Sequence, residues 1–284
     1  MSVLALKIDV DTYQGMKSGI PHIVKVLDKY GIPASFFISF GPDRSGLAAL
    51  QLVRPKFLYK MIRTNAPGMY GIKTALYGTI LPAPMTGLSF PEDIKHLSEM
   101  GHEVACHAWD HRLWQDWLPL MSRNRIDIWF DRLVNAYTET LCERPQGFGA
   151  PGWRMDKRAI EIINRFGFKY LSCTRASMPF IFRENGVIEI PSNLPCIEEV
   201  GTTGVIRAIE DNADSRIPQV LPVHAEVEGG LYEHDFKQIL DKAMSLGYDI
   251  KRLIDIEKDI DRKGLYVRGL QQGFIPGRAF KCSV

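Results

Sequence analysis

The chain predicts an α/β fold in which a parallel sheet with helical crossovers curls into an incomplete barrel. Two observations carry this. Short apolar runs alternate along the 284 residues with segments whose apolar positions recur at helical spacing, the rhythm of repeated βα units. The residues able to do chemistry (Asp11, His107, the loop at Pro151, and His224) stand just after predicted strands, where a barrel of βα units gathers its site. About six or seven strands can be counted, too few for a regular eight-fold barrel.

The elements follow in order. Residues 3–10 are an apolar run ending in Asp9-Val-Asp11 and read as a buried strand. Residues 20–30 carry apolar side chains at helical spacing, with Gly31 as C-cap. A second strand covers 34–39. A helix starts with proline at 91 and stops at Gly101. A short strand, 103–106, runs into His107, and a long helix spans roughly 119–141. Residues 147–150 read as a strand, and Asp156 caps a helix that Gly167 ends. Short strands near 169–172, 187–190 and 219–223 precede two helices, about 233–246 and 249–261.

Composition narrows the class. Hydrophobic residues are 45% and charged residues 24% of the chain, ordinary for a globular protein. A net charge of +2 gives no general attraction to nucleic acid. Five scattered cysteines, never in C-x-x-C spacing, suit a reducing compartment. No signal peptide is legible, and no run reaches the roughly eighteen apolar residues of a spanning helix. The whole chain, 1–284, reads as one catalytic domain with an insertion at about 42–89. From Lys56 onward in the insertion, Lys56, Lys60, Arg63 and Lys73 are the only charges up to Glu92, among aromatic and apolar residues. That composition fits an interfacial membrane segment or an amphipathic lid.

Asp9 and Asp11, two apart on a strand, share a face. His107 and His111, four apart, are expected on one side of a helical turn. Together these carboxylates and imidazoles can build one open metal site, with imidazole suiting zinc, cobalt, nickel or iron and carboxylate widening the choice toward manganese. His107-Ala-Trp-Asp-His111 lacks the glutamate of H-E-x-x-H, so a base must come from elsewhere, and Asp9 is available. His224 ends an apolar strand as a candidate acid. The loop Gly147-Phe-Gly-Ala-Pro-Gly-Trp-Arg154 offers close backbone approach, and Arg154 a planar cation for a carboxylate or phosphate. His22, His96, His102 and His234 have no partner of this kind and read as structural or solvated.

These motifs, in this order, resemble the polysaccharide deacetylase (NodB-homology) family of metal-dependent amide hydrolases: Ile8-Asp9-Val10-Asp11, His107-Ala-Trp-Asp-His111, Phe148-Gly-Ala-Pro-Gly-Trp-Arg154 and Leu221-Pro-Val-His224. The resemblance runs from residue 3 to roughly 260. It implies a distorted (β/α)7 barrel and one divalent ion (zinc, manganese or cobalt) on Asp11, His107 and His111. It also implies Asp9 as catalytic base and His224 as catalytic acid. Lys7-Ile-Asp-Val-Asp-Thr12, His224-Ala-Glu-Val-Glu-Gly229, the insertion at 57–81 and the tail at 269–278 resemble the branch that deformylates an undecaprenyl-phosphate-linked aminosugar in lipid A modification. That implies a peripheral enzyme on the cytoplasmic face of the bacterial inner membrane, a role in resistance to cationic antimicrobial peptides, and no nucleic-acid partner. Arg154, Arg175 or the insertion lysines are then the candidates for the lipid phosphate. Two features depart from the family: Val10 separates the first aspartates, and Gly149 stands where many members have arginine, with Arg154 the candidate for its place. No counterpart of the family's fourth motif, an aspartate with a tryptophan, is legible around 170–175. Rival roles are an N-deacetylase of an N-acetylated sugar polymer and a catalytically silent carbohydrate- or lipid-binding relative.

Overall fold

The computed structural model describes residues 2–51, 74–278 and 280–284. Its first strand, β1 (Val3–Val10), is buried along nearly all its length. Helix α1 (Ile20–Tyr30) ends at Gly31, whose φ of 63° is the left-handed conformation that a glycine cap adopts without steric cost. Then come β2 (Ser35–Ile38), α2 (Pro91–Glu99), β3 (Glu103–Cys106), α3 (His111–Trp117), α4 (Arg123–Leu141), β4 (Gly147–Gly149) and α5 (Lys157–Ile163). The Asp156 carboxylate caps α5 by accepting from Ala159 N–H at 3.0 Å. The second half holds β5 (Tyr170–Ser172), β6 (Phe180–Phe182), β7 (Ile188–Glu189), α6 (Ile197–Asp211), β8 (Gln219–His224) and α7 (Ala225–Glu228). The chain closes with α8 (Glu233–Ser245), β9 (Asp249–Ile250), α9 (Leu253–Asp259), β10 (Val267–Arg268), β11 (Gln272–Phe274) and β12 (Lys281–Ser283).

Seven strands run parallel in the order β8–β1–β2–β3–β4–β5–β7, which is the distorted (β/α) barrel expected. β7 and β8 do not pair. The chain after β7 crosses that gap instead, with Leu194 N–H donating to Val220 C=O at 3.2 Å and Val220 N–H to the Asn193 side chain at 2.8 Å. The distortion is therefore a seam closed by single hydrogen bonds rather than by a ladder.

Period-two alternation sorts each strand. On β1, Leu4, Leu6, Ile8 and Val10 pack outward against the helices in the main core, while Ala5 points into the barrel with Phe37, Ala105 and Val220. Lys7 and Asp9 share the inward face with Ala5. Leu253, Ile254 and Ile256 of α9 plug the bottom. Glu103, also buried there, accepts from Ser35 (2.6 Å), Tyr170 (2.7 Å) and Ile254 N–H (3.0 Å), as a buried carboxyl must be satisfied. Apolar packing thus fills the lower barrel, and its upper end is left to polar side chains.

Several elements depart from the sequence expectation. The helix α6 was unread, because Gly201-Thr-Thr-Gly204 inside it have low helix propensity, and Gly201 breaks the helix at φ 72°. The short strands β6, β10, β11 and β12 were also missed, and a segment expected to be helical from 249 opens as β9. Of the insertion, the basic and aromatic stretch 52–73 lies outside the described residues. Its two roots are tied together by Asp43 N–H to Pro84 C=O at 2.8 Å and Thr86 N–H to Gly41 C=O at 2.7 Å.

Candidate metal centre and acid pair

Register brings the site residues to one end of the barrel. Asp9 lies opposite both Phe37 and His224, and Ile38 lies opposite both Val10 and Cys106, so Asp9 and His224 share one level and Asp11 and His107 emerge together just beyond it. His107 Nε2 is 3.2 Å and His111 Nε2 3.1 Å from the two oxygens of Asp11. The three donor atoms all fall within 4.8 Å of one another.

The helical-turn explanation for the histidine pair does not hold. His107 follows β3, residues 107–110 are non-helical, and His111 is the first residue of α3. Asp110 is the cause. Its carboxylate accepts from Leu113 N–H at 2.9 Å as an N-cap, starting the helix one residue later. The rings still meet, stacked with centroids 5.2 Å apart. The other carboxylate oxygen of Asp110 pairs with Arg44 from the insertion root, and Asp43 accepts from Tyr13 N–H at 2.9 Å. The insertion is thereby tied to the site.

The residues fit a divalent ion. His107 Nδ1–H donates to Gly149 C=O at 2.9 Å, which fixes the tautomer and leaves Nε2 as a lone-pair donor. Burial holds the His107 pKa below its ordinary value against the pull of Asp9 and Asp11, so the ring stays neutral. Burial pushes the Asp11 carboxyl up, but the neighbouring imidazoles, His111 first, outweigh it and hold it well below the usual carboxylate range. Asp11 Oδ1 is buried with no hydrogen-bond partner among the described residues. A second donor group, Cys196, Glu198 and His224, is as compact but suits a metal poorly. Arg278 donates to Cys196 Sγ at 3.4 Å, and burial pushes that thiol well up, so it stays protonated beside a cation.

His224 Nδ1 instead pairs with Glu198 Oε1 at 3.1 Å. Burial pulls this imidazole down, but Glu198, then Asp11 and Glu228, raise its pKa to about 10. Glu228 Oε2 accepts from His224 N–H at 2.8 Å. Glu226 is 3% exposed, and neither of its oxygens has a partner among the described residues. Burial first and Asp11 second push its carboxyl well above the usual range.

Asp9 lies beside the donor triad, 4% exposed, with both carboxylate oxygens held by Lys7 Nζ. Arg154 follows the loop after β4, with its guanidinium 5.8 Å from the Phe280 ring. Arg175 is drawn inward: it donates to Glu199 at 2.6 Å and to Leu194 C=O at 3.0 Å, and its side chain is 6% exposed. Arg278 meets the same Glu199 oxygen at 2.6 Å, and both guanidiniums lie over Trp153, at 4.7 and 4.3 Å. They brace Trp153 in a left-handed conformation (φ 52°) that is rare for a bulky residue. Lys7, Glu198, Glu199 and Glu226 were missed in the sequence. Lys7 had left a signal, a lysine two residues before Asp9 in an apolar strand, and Glu226 another, two residues after His224.

Residues 3–171 match the polysaccharide deacetylase family model. A Shewanella sediminis protein named probable 4-deoxy-4-formamido-L-arabinose-phosphoundecaprenol deformylase is 32% identical, over 91% of this chain and 87% of its own. A protein of the same name from Wigglesworthia glossinidia brevipalpis is also 32% identical, over 93% and 96%. Among solved structures, a Mycobacterium smegmatis protein assigned as a polysaccharide deacetylase aligns with a TM-score of 0.65 at 16% identity, over 96% of this chain and 95% of its own. One from Pseudomonas aeruginosa PAO1 aligns with a TM-score of 0.60 at 14% identity, over 90% and 89%. The chain belongs to the polysaccharide deacetylase family and is a hydrolase acting on an amide bond.

Proposed function

We propose that this enzyme removes the formyl group of 4-deoxy-4-formamido-L-arabinose-phosphoundecaprenol, releasing formate and the free amine, as a metal-dependent step of lipid A modification and cationic antimicrobial peptide resistance. The observation that supports the reading is the company of residues at one end of the barrel: the donor group Asp11, His107 and His111, the His224 imidazole paired with Glu198, and Asp9 held off the donor group by Lys7. The 32% identity to proteins named for this deformylation, across most of both chains, supports the substrate.

Asp11, His107 and His111 would hold the ion, which when bound lowers the pKa of water and polarises a carbonyl. Asp9 takes a proton from the attacking water, whose oxygen bonds to the formyl carbon. As the C–N bond breaks, His224 passes its proton to the departing nitrogen, since an amide nitrogen leaves poorly until protonated. Glu198 on Nδ1 leaves Nε2 to carry that proton. Of the two arginines, Arg154 is assigned to the lipid phosphate and Arg175 to supporting Trp153. Among the described residues no helix is long and apolar enough to cross a membrane. The proposed attachment is peripheral, at the cytoplasmic face of the inner membrane.

The test offers the metal-loaded enzyme the formamido lipid and its N-acetyl counterpart. Formate from the first with little acetate from the second is expected. Acetate as the main product would assign an N-deacetylase, and neither product with lipid bound would assign a silent binder. Asp9→Asn is expected to keep its metal and lose about 100-fold or more of turnover. Undiminished turnover would remove Asp9 from the base role.

A further inference from the structure

We infer that Lys7 is the residue that positions Asp9 for catalysis, holding the carboxylate from the same strand by a two-point contact inside the barrel. This rests on the reading of Asp9 as the base. Lys7 is completely buried, and lysine is almost never so unless paired. Its ammonium reaches both Asp9 oxygens, at 2.6 Å for Oδ2. Gripping both oxygens fixes the carboxylate plane, whereas one hydrogen bond would let it turn.

The surroundings fit that use. The ammonium lies 4.6 Å from the Phe37 ring centroid and 5.8 Å from that of Trp153, walls that attract a cation without competing as acceptors for its protons. Gly149, on β4, leaves the room. A Cβ there would stand 3.2 Å from Lys7 Cε and 2.7 Å from the Phe37 ring. The Gly149 carbonyl meanwhile takes the His107 Nδ1–H. One glycine therefore serves both the donor triad and the base.

A further buried carboxylate completes the arrangement. Glu189 accepts from Cys173 N–H at 2.8 Å and Thr174 N–H at 2.6 Å through one oxygen, and its other oxygen has no partner among the described residues. It lies within electrostatic reach of Lys7. Burial pushes the Glu189 carboxyl up to about 7, against the pull of Lys7 and of the hydrogen bonds it accepts.

The test compares Lys7→Met, Lys7→Arg, Asp9→Asn and the double variant Lys7→Met/Asp9→Asn in the metal-loaded full chain. Either formate or acetate release is followed, so the identity of the acyl group does not decide the outcome. Lys7→Met is expected to lower kcat about 100-fold or more, with KM and metal content within about twofold. Lys7→Arg restores kcat to within about tenfold of the parent, and the double variant is no slower than Asp9→Asn, because Lys7 acts only through Asp9. Parent-like kcat in Lys7→Met would overturn the inference, as would losses that multiply in the double variant or an arginine variant no better than methionine. Should Lys7→Met not fold, Lys7→Gln takes its place with the same outcomes. An inactive Asp9→Asn beside an active Lys7→Met sinks the positioning role alone. An active Asp9→Asn sinks the base assignment, and the positioning role with it.

Discussion

His107 and His224 are both buried at the mouth of one barrel, 1% and 8% exposed, yet their pKa values are displaced in opposite directions. Burial disfavours the charged form of each. The difference lies at Nδ1. His107 donates there to a backbone carbonyl, which fixes the ring without adding a full charge, and it stays neutral. His224 meets the Glu198 carboxylate there, which overturns the burial cost and raises its pKa to about 10. A neutral imidazole can be a ligand, and an imidazolium can be an acid. The partner of one nitrogen sets the direction in which each ring's pKa moves.

The contrast can be broken from either side. His107→Asn is expected to lose both the metal and all measurable turnover. His224→Asn is expected to retain full metal occupancy while turnover falls about 100- to 10,000-fold. Elemental analysis beside an amide-hydrolysis assay reads both, and loss of metal from the His224 variant would place that ring among the ligands.

Glu198→Gln sharpens the comparison with a smaller effect. Removing the carboxylate lets burial reassert itself, so the acid should deprotonate at lower pH. The basic limb of the pH–rate profile, expected near 10 in the parent, should move down toward the ordinary histidine value of 6.5. Turnover near pH 6 would change least. The stability sign is the same: a pKa raised from 6.5 to about 10 stabilises the fold fully below 6.5, and that contribution is lost as pH rises toward 10. An unmoved limb would show that Glu198 does not set the charge of His224.

Glu199→Gln leaves Arg175 and Arg278 without their shared carboxylate, and its largest effect should be on stability. Removing one partner of a buried ion cluster costs about 3–5 kcal/mol, readable as a lowered Tm with metal content kept. Burial raises the Glu199 carboxyl, but Arg278 and Arg175 outweigh it and hold it at about 2 against an ordinary 4.5. Its contribution is therefore complete above pH 4.5 and lost as pH falls toward 2, and the variant should lose less stability than the parent across that window.

Most of the barrel was legible because its strands and helices obey simple periodicities: β1 ends where Asp9 and Asp11 begin the pocket, and α1 stops at Gly31. Two members of the donor triad were legible for the same reason, since Asp11 and His107 follow strands that show in the sequence, while His111 opens the next helix. The acid pair was only half legible. His224 ends a visible strand, but Glu198 and Glu199 sit in the first turn of α6, which the glycines at 201 and 204 hid. Missing the helix meant missing the carboxylates that charge His224 and hold Arg175. The histidine pair was found for the wrong local reason, because an aspartate N-cap, not a shared helical turn, joins its rings. The placement of Lys7 needed the third dimension: only the structure shows that Gly149 clears the space for its side chain.

The most direct test follows the two rings together. Nitrogen-15 imidazole NMR of the full chain, titrated from pH 5.5 to 10.5 in metal-free and metal-loaded samples, reads each protonation state. His224 is expected to remain an imidazolium through pH 8 and to titrate near 10, while His107 is neutral at pH 7, titrates below the ordinary histidine value and carries its proton on Nδ1. A His224 ring already neutral at pH 7, or a His107 ring charged there, would contradict the division of labour between them.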